Sequence, residues 1–167
     1  QSFYAGAVEG KWRSKHELAW GGALIDSGTH LVYQTVQLLG RPVKVQAFSA
    51  RNKLRMDDED ISSVQLQYLD GTIAHLMQNW GSGHGQDIEG IRIVGSEGRV
   101  NISDALYVNG EKISSDVSYG DSFKNQAVSF VATILDGKEP ESSLDDALLT
   151  MQIIDAAYES AKTDRTI

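Results

Sequence analysis

The chain has 167 residues, 41% of them hydrophobic and 23% charged, enough for a domain with a real core and too apolar for a disordered chain. Fifteen Lys and Arg face 23 Asp and Glu, a formal net charge of −8, and an acidic surface repels the phosphate backbone of nucleic acid. With no cysteine, disulfides, thiolate nucleophiles and cysteine-ligated zinc are excluded.

A cysteine-free chain suits a reducing compartment, and the predicted location is cytoplasmic. No apolar run is long enough for a helical membrane span, and no signal peptide is visible. The sequence opens without Met in a polar, Gly-punctuated stretch, and it reads as a piece of a longer protein.

Residues 1–20 read as a loop that holds Trp12 and Trp20. Gly21-Gly22 then opens a predicted helix from Ala23 to Leu39, with Leu24, Gly28, Leu31, Val32, Thr35, Val36 and Leu39 on one stripe. Gly40 stops it and Pro42 prevents its return. Residues 43–109 read as strands. Val43, Val45 and Ala47 alternate with polar residues, as do Val64, Leu66 and Tyr68, on either side of the acidic turn Asp57–Asp60. Asp70-Gly71 predicts a two-residue hairpin turn. That register pairs Tyr68 with Ile73, Leu66 with His75 and Val64 with Met77, a face expected under the helices. Ile61, Gln65, Gln67, Leu69, Ala74, Leu76, Gln78 and Trp80 then form an uncharged open face suited to self-association.

Further strands are predicted at Ile88–Val94, Arg99–Ile102 and Leu106–Val108. Two helices close the chain. Asp121 is the expected cap of the first, whose stripe is Phe123, Ala127, Phe130, Val131 and Ile134. Ser143 and Asp146 resemble a capping box for the second, whose expected buried stripe is Leu144, Leu148, Met151, Ile154 and Tyr158. This order predicts an α+β fold: an open, mainly antiparallel sheet with helices packed on one face, in one domain over 1–167.

The chemistry concentrates in the first long helix. At ~100° per residue, Asp26, His30, Tyr33 and Gln37 fall opposite the apolar stripe. Residues at i and i+4 are neighbours, so the Asp26 carboxylate can flank the imidazole of His30 and fix its tautomer. Such a pair suits general acid–base work near neutral pH, though a solvated polar face shows the same spacing. Glycines at 21 and 22 allow close backbone approach to a ligand. His75 lies within a strand and His84 in the loop GSGHGQ. That loop precedes a strand rather than a helix, so it is no dinucleotide fingerprint. No His, Asp or Glu group has metal-ligand spacing.

Trp12-Arg13 followed by GGALIDSGTH resembles the catalytic segment of the glucose–fructose oxidoreductase / inositol dehydrogenase / rhizopine-catabolism (Gfo/Idh/MocA) family. GSEGRV at 95–100, DGKEP at 136–140, DDALLT at 145–150 and AAYESAKT at 156–163 resemble the rest of its C-terminal domain. The resemblance implies a hydride-transferring dehydrogenase acting on a sugar, inositol or related polyol. His30 would be the acid–base residue and Asp26 its partner or a substrate ligand. Trp12 and Arg13 would lie on a loop near the substrate. By position rather than by resemblance, His84 is a substrate-binding candidate from its loop, where a solvated histidine is the alternative, and Gly21 and Gly22 are cofactor-binding candidates through close backbone approach. NAD or NADP would be bound mainly by an N-terminal dinucleotide domain that this chain lacks; the fragment alone would be inactive. The resemblance further implies a homo-dimer or tetramer formed through the open sheet. The alternative is a nicotinamide-binding regulatory or non-catalytic relative with the same fold.

Overall fold

The computed structural model describes residues 1–83, 90–113 and 118–167. The chain divides into two compact units, one formed by Gln1–Ile88 with Leu144–Ile167 and the other by Glu89–Ser143.

The first unit is built on a three-stranded antiparallel sheet, β1 (Lys44–Ala50), β2 (Ile61–Gln67) and β3 (Ile73–Asn79), in that spatial order. Upstream lie a one-turn helix, α1 (His16–Ala19), and α2 (Gly28–Leu39). The last helix, α4 (Leu144–Thr163), packs on β1 and α2. Val45 and Ala47 of β1, Val64 and Leu66 of β2 and Leu76 of β3 alternate inward. They meet Val32, Val36, Ile153, Ile154 and Ala157 of the two helices in one buried cluster. The period-2 strands and period-3.6 helices thus bury one face each, and the other sheet face stays open.

The hairpin between β2 and β3 differs from the predicted one by a single residue. Leu69-Asp70-Gly71 form a three-residue turn, closed by the Tyr68 N–H on the Thr72 carbonyl at 2.9 Å and the Gly71 N–H on the Tyr68 carbonyl at 3.0 Å. Gly71 takes φ +88°, the left-handed bulge position of such loops. Val64 therefore lies opposite Leu76, Gln65 opposite His75 and Leu66 opposite Ala74. Because side chains alternate with a period of two, this shift turns all of β3 over. Leu76 and Gln78 are buried on the helix side, and Trp80 is buried in a second cluster with Ala5, Val8, Ala23, Leu54 and Met56, while Ile73, His75 and Met77 face outward. The predicted placement of Val64 and Leu66 stands. The placement of Leu76, Gln78 and Trp80 on the open face is corrected, and that face carries Lys44 and His75, so it is not uncharged.

Residues 1–5 run beside the end of β3, with Ser2 bridged to Asn79 and Tyr4 to Gly81. The terminal Ile167 exchanges two backbone hydrogen bonds with Val45, at 2.8 and 2.9 Å. The buried residues of α4 are Thr150, Ile153, Ile154, Ala157 and Ser160, whereas Leu144, Leu148 and Met151 of the predicted stripe are exposed. Ile154 of the predicted stripe is buried together with Ile153, and the small residues Ala157 and Ser160 beside them let the helix lie close to the sheet: Ser160 Oγ accepts from the Ala47 N–H at 2.9 Å.

The second unit holds β4 (Ile91–Gly95), β5 (Gly98–Ile102), β6 (Leu106–Val108) and β7 (Glu111–Lys112), a four-stranded antiparallel meander, and α3 (Tyr119–Asp136). Ser118, not Asp121, is the N-cap of α3. Its hydroxyl accepts from the Asp121 N–H at 3.1 Å and donates to the Asp121 carboxylate at 2.6 Å, so Asp121 serves as the reciprocal partner of the cap. Phe123, Phe130, Val131 and Ile134 of its predicted stripe are 51% to 65% exposed. Among the described residues, no helix is long and apolar enough to cross a membrane.

Candidate active site

Asp26 and His30 belong to a segment that is wound before it becomes a helix. The helix predicted from Ala23 begins at Gly28. Residues 23–27 form turns, with the Asp26 N–H on the Gly22 carbonyl at 3.2 Å and the Gly28 N–H on the Ala23 carbonyl at 2.9 Å. Ser27 occupies the N-cap position without capping. Its hydroxyl instead accepts from Gln78 Nε2 at 2.8 Å and Trp80 Nε1 at 2.6 Å, which ties the start of α2 to the end of β3.

Gly21 and Gly22 are glycines for reasons internal to the protein. A Cβ on Gly22 would sit 1.9 Å from the backbone carbonyl oxygen of Glu59, and one on Gly21 would sit 2.3 Å from the Tyr158 hydroxyl. Both residues are buried. Glu59 holds the turn: its side chain accepts from the Gly22 N–H at 3.1 Å and the Leu24 N–H at 2.9 Å, and its carbonyl accepts from the Ala23 N–H at 2.9 Å. Tyr158 of α4 donates to the same carboxylate at 3.0 Å.

Asp26 is half-buried and pairs with Arg13, Nε to Oδ2 at 2.8 Å. The Arg13 guanidinium also stacks over Trp12, 4.9 Å from the ring centre. Trp12, Arg13 and Asp26 thus form one surface cluster, joined by a charge-assisted hydrogen bond and a cation–π contact. The loop beneath them is anchored from the acidic turn. The His16 N–H donates to Asp57 at 3.1 Å, the His16 ring contacts Asp58 at 2.9 Å, and the Asp57 N–H reaches the Ser14 carbonyl at 2.9 Å.

His30 lies in the first turn of α2, exposed, and its ring makes no hydrogen bond or ion pair with any described residue. The Asp26–His30 contact that the spacing suggested is not formed: Asp26 lies in the turn before α2, where helical i, i+4 geometry does not apply, and its carboxylate pairs with Arg13. His84 lies outside the described residues. No group of three or more His, Asp or Glu among the described residues is placed to hold a metal ion.

Glu59 and Tyr158 escape a reading of sequence alone. Glu59 sits in an acidic run that looks solvated, yet it is 8% exposed. Burial pushes its carboxyl above the ordinary glutamate value, and the donors from Leu24 and Tyr158 draw it only part of the way back. Burial and the facing Glu59 charge push the Tyr158 hydroxyl far above the ordinary tyrosine range. The neighbouring Asp60, fully buried, pins another loop through the N–H groups of Asn52, Lys53 and Leu54 at 2.7 to 2.8 Å.

The profile of the oxidoreductase family, C-terminal alpha/beta domain (the Gfo/Idh/MocA group), matches residues 2–167. The chain belongs to this family. It is similar to D-xylose 1-dehydrogenase (NADP(+)) 2 of Haloferax volcanii, 23% identical over 159 residues that cover 88% of this chain and 48% of that protein. An aldose-aldose oxidoreductase from Caulobacter crescentus, solved with glycerol, superposes with a TM-score of 0.86 at 26% identity, covering all of this chain (100%) and 53% of that one. The WlbA dehydrogenase from Bordetella pertussis, solved with NADH and UDP-GlcNAcA, superposes with a TM-score of 0.77 at 23% identity, over 93% of this chain and 50% of that one. The chain therefore spans about half the length of the relatives it matches. It is the C-terminal domain of an oxidoreductase family whose relatives include sugar dehydrogenases.

Proposed function

We propose that this chain is the catalytic and substrate-binding half of a nicotinamide-dependent dehydrogenase acting on a sugar or related polyol, with His30 as the proton-transfer residue. The observation that carries this reading is the exposed His30 ring at the start of α2, without a hydrogen-bond partner among the described residues, four residues after a carboxylate paired with Arg13, which stacks on Trp12. The relatives' sugar substrates and nicotinamide ligands support the substrate class and the cofactor type. The cysteine-free sequence suits the reducing cytoplasm.

The described residues offer a proton-transfer group for the reacting end of such a cofactor but no seat for its pyrophosphate. No Gly-rich strand–turn–helix occurs among them, and Gly21 and Gly22 face Glu59 and Tyr158. The dinucleotide would be held mainly by a part of the protein outside this chain. Nicotinamide bound there supplies the acceptor for the carbinol hydride. The residues of this chain do the rest. Arg13 and Trp12 offer a cation and a ring face to a polyhydroxylated substrate, and Asp26 accepts its hydroxyl protons as hydrogen bonds. His30 removes the proton of the reacting hydroxyl and returns it in the reverse direction. Orientation and proton transfer are the protein's share of the catalysis.

The test uses the intact protein, screened with NAD⁺ and NADP⁺ against sugars, inositols and sugar acids. His30→Ala should cut kcat by ~10²-fold or more with little effect on folding. Near-parental turnover in that variant overturns the assignment. Nicotinamide binding without turnover on any of these substrates would identify a non-catalytic relative instead.

A further inference from the structure

We propose that Glu59 is the positioning residue of this site: its buried carboxylate, locked by Tyr158, sets the turn from which Asp26 and His30 project. The proposal rests on the reading of His30 as the proton-transfer residue.

Three donors meet the two oxygens of this carboxylate. Gly22 N–H is on Oε2 at 3.1 Å, and Leu24 N–H and the Tyr158 hydroxyl are on Oε1 at 2.9 and 3.0 Å. An ionised carboxylate accepts on both oxygens, whereas an amide has one acceptor and would turn an NH₂ group toward one of these donors. No Lys or Arg pairs with Glu59 among the described residues. Its charge is balanced by aimed N–H and O–H groups alone, an arrangement that fixes the position of whatever carries those groups.

The carriers lead directly to the site. The Ala23 N–H joins the Glu59 carbonyl at 2.9 Å. The Gly22 carbonyl then receives the Asp26 N–H, the Ala23 carbonyl receives the Gly28 N–H, and the Ser27 carbonyl receives the His30 N–H at 3.2 Å. An unbroken set of backbone hydrogen bonds therefore runs from Glu59 to both site residues. Close packing leaves no room for a side chain at either glycine, since Cβ atoms at 21 and 22 would collide with Tyr158 and Glu59. Tyr158 anchors the carboxylate to α4, so the site is indexed to the core and not to the loop that bears it. Asp60 performs the same pinning on the 52–54 loop, which carries none of the site residues.

A misplacement of about 1 Å at a reacting group can cost ~10²-fold in rate. In the intact protein, Glu59→Gln should lower kcat by about 10- to 10²-fold and raise KM by no more than about threefold through Asp26, because proton transfer at His30 demands stricter placement than a hydrogen bond to substrate. Tyr158→Phe keeps the carboxylate and its two N–H donors, so it should lower kcat by only a few-fold, on the order of one hydrogen bond's worth, with KM little changed. Hydrogen exchange followed by mass spectrometry should show lost protection in the 21–30 peptide of Glu59→Gln, with the 52–54 peptide unchanged. A folded Glu59→Gln protein with kcat within about twofold of the parent overturns the proposal, as does unchanged exchange at 21–30. A fall in kcat no larger than the fall in folded fraction also overturns it. If Glu59→Gln does not fold, Tyr158→Phe decides by the same readouts. The two readings fail separately. Loss of turnover in His30→Ala with retention in Glu59→Gln removes only this inference. Near-parental turnover in His30→Ala removes the catalytic reading, and the exchange at 21–30 still decides whether Glu59 holds the segment.

Discussion

Gly22→Ala tests the clamp between the site segment and the core. The added Cβ would lie 1.9 Å from the Glu59 carbonyl oxygen, 2.8 Å from its carbonyl carbon and 2.9 Å from its side-chain carboxyl carbon. Real Cβ contacts essentially never fall below 3.0 Å, so backbone must move by roughly 1 Å, and the nearest obstacle is itself backbone that cannot rotate away. Such a movement pulls apart three hydrogen bonds, those of Gly22 and Leu24 with the carboxylate and that of Ala23 with the carbonyl. Bonds to a charged group contribute about 1.5–3 kcal/mol and a neutral one about 1 kcal/mol. With partial refitting the expected cost is about 3–5 kcal/mol, a large share of the ~5–15 kcal/mol that holds a typical domain together. At about 2–4 °C per kcal/mol for a chain of this size, the melting temperature should fall by roughly 10 °C. Urea unfolding followed by tryptophan fluorescence reads the transition, because Trp80 is 2% exposed. Gly137→Ala is the control. It meets no atom within 4 Å and is strained only by its φ of +64°, so it should cost about 1–2 kcal/mol. A Gly22→Ala protein within about 1 kcal/mol of the parent refutes the clamp.

Three further outcomes are expected. Arg13→Ala removes both the Asp26 pair and the stack on Trp12. Since Arg13 and Asp26 side chains are 49% and 30% exposed, stability should change by no more than about 0.5 kcal/mol. Substrate KM should rise several-fold in the intact enzyme, and an unchanged KM would remove Arg13 from the substrate site. The pH dependence of stability should carry the mark of Glu59 and Tyr158, whose folded pKa values both lie above their ordinary 4.5 and 10.0. Between the ordinary and the raised value the native state binds the extra proton, so each contribution is present below the ordinary value and is lost as pH rises through the raised one. Tyr158→Phe should therefore lessen the loss of stability above pH 10 in alkaline melts. An unchanged alkaline limb contradicts the burial argument. Finally, we propose that the open sheet face self-associates. Ile73 and Met77 are 68% and 43% exposed on it, and Ile73→Lys with Met77→Glu should shift light scattering toward monomer. An unaltered mass would place the interface elsewhere.

Local pattern carried much of this protein. The alternation at Val45/Ala47 and Val64/Leu66, the stripe at Val32/Val36 and the glycine stops at 40 and 137 follow from periods and caps that short stretches encode. The ordered motifs from Trp12 to Thr163 were enough to indicate the family. Asp26 and His30 were visible as candidates four residues apart, although the contact their spacing suggested requires a helix that begins only at Gly28. Tertiary structure alone decided three things. The β3 face depended on whether the turn holds two residues or three, and one residue there inverts every side chain that follows. The face that α4 buries joins Ile153 and Ile154 to the small residues Ala157 and Ser160, and the close fit of those small residues to β1 is not recorded in the hydropathy pattern. The role of Glu59 depended on Gly22 and Tyr158, 37 and 99 residues away along the chain. A carboxylate in an acidic run is solvated or buried according to whether distant donors converge on it, and no local period records that convergence.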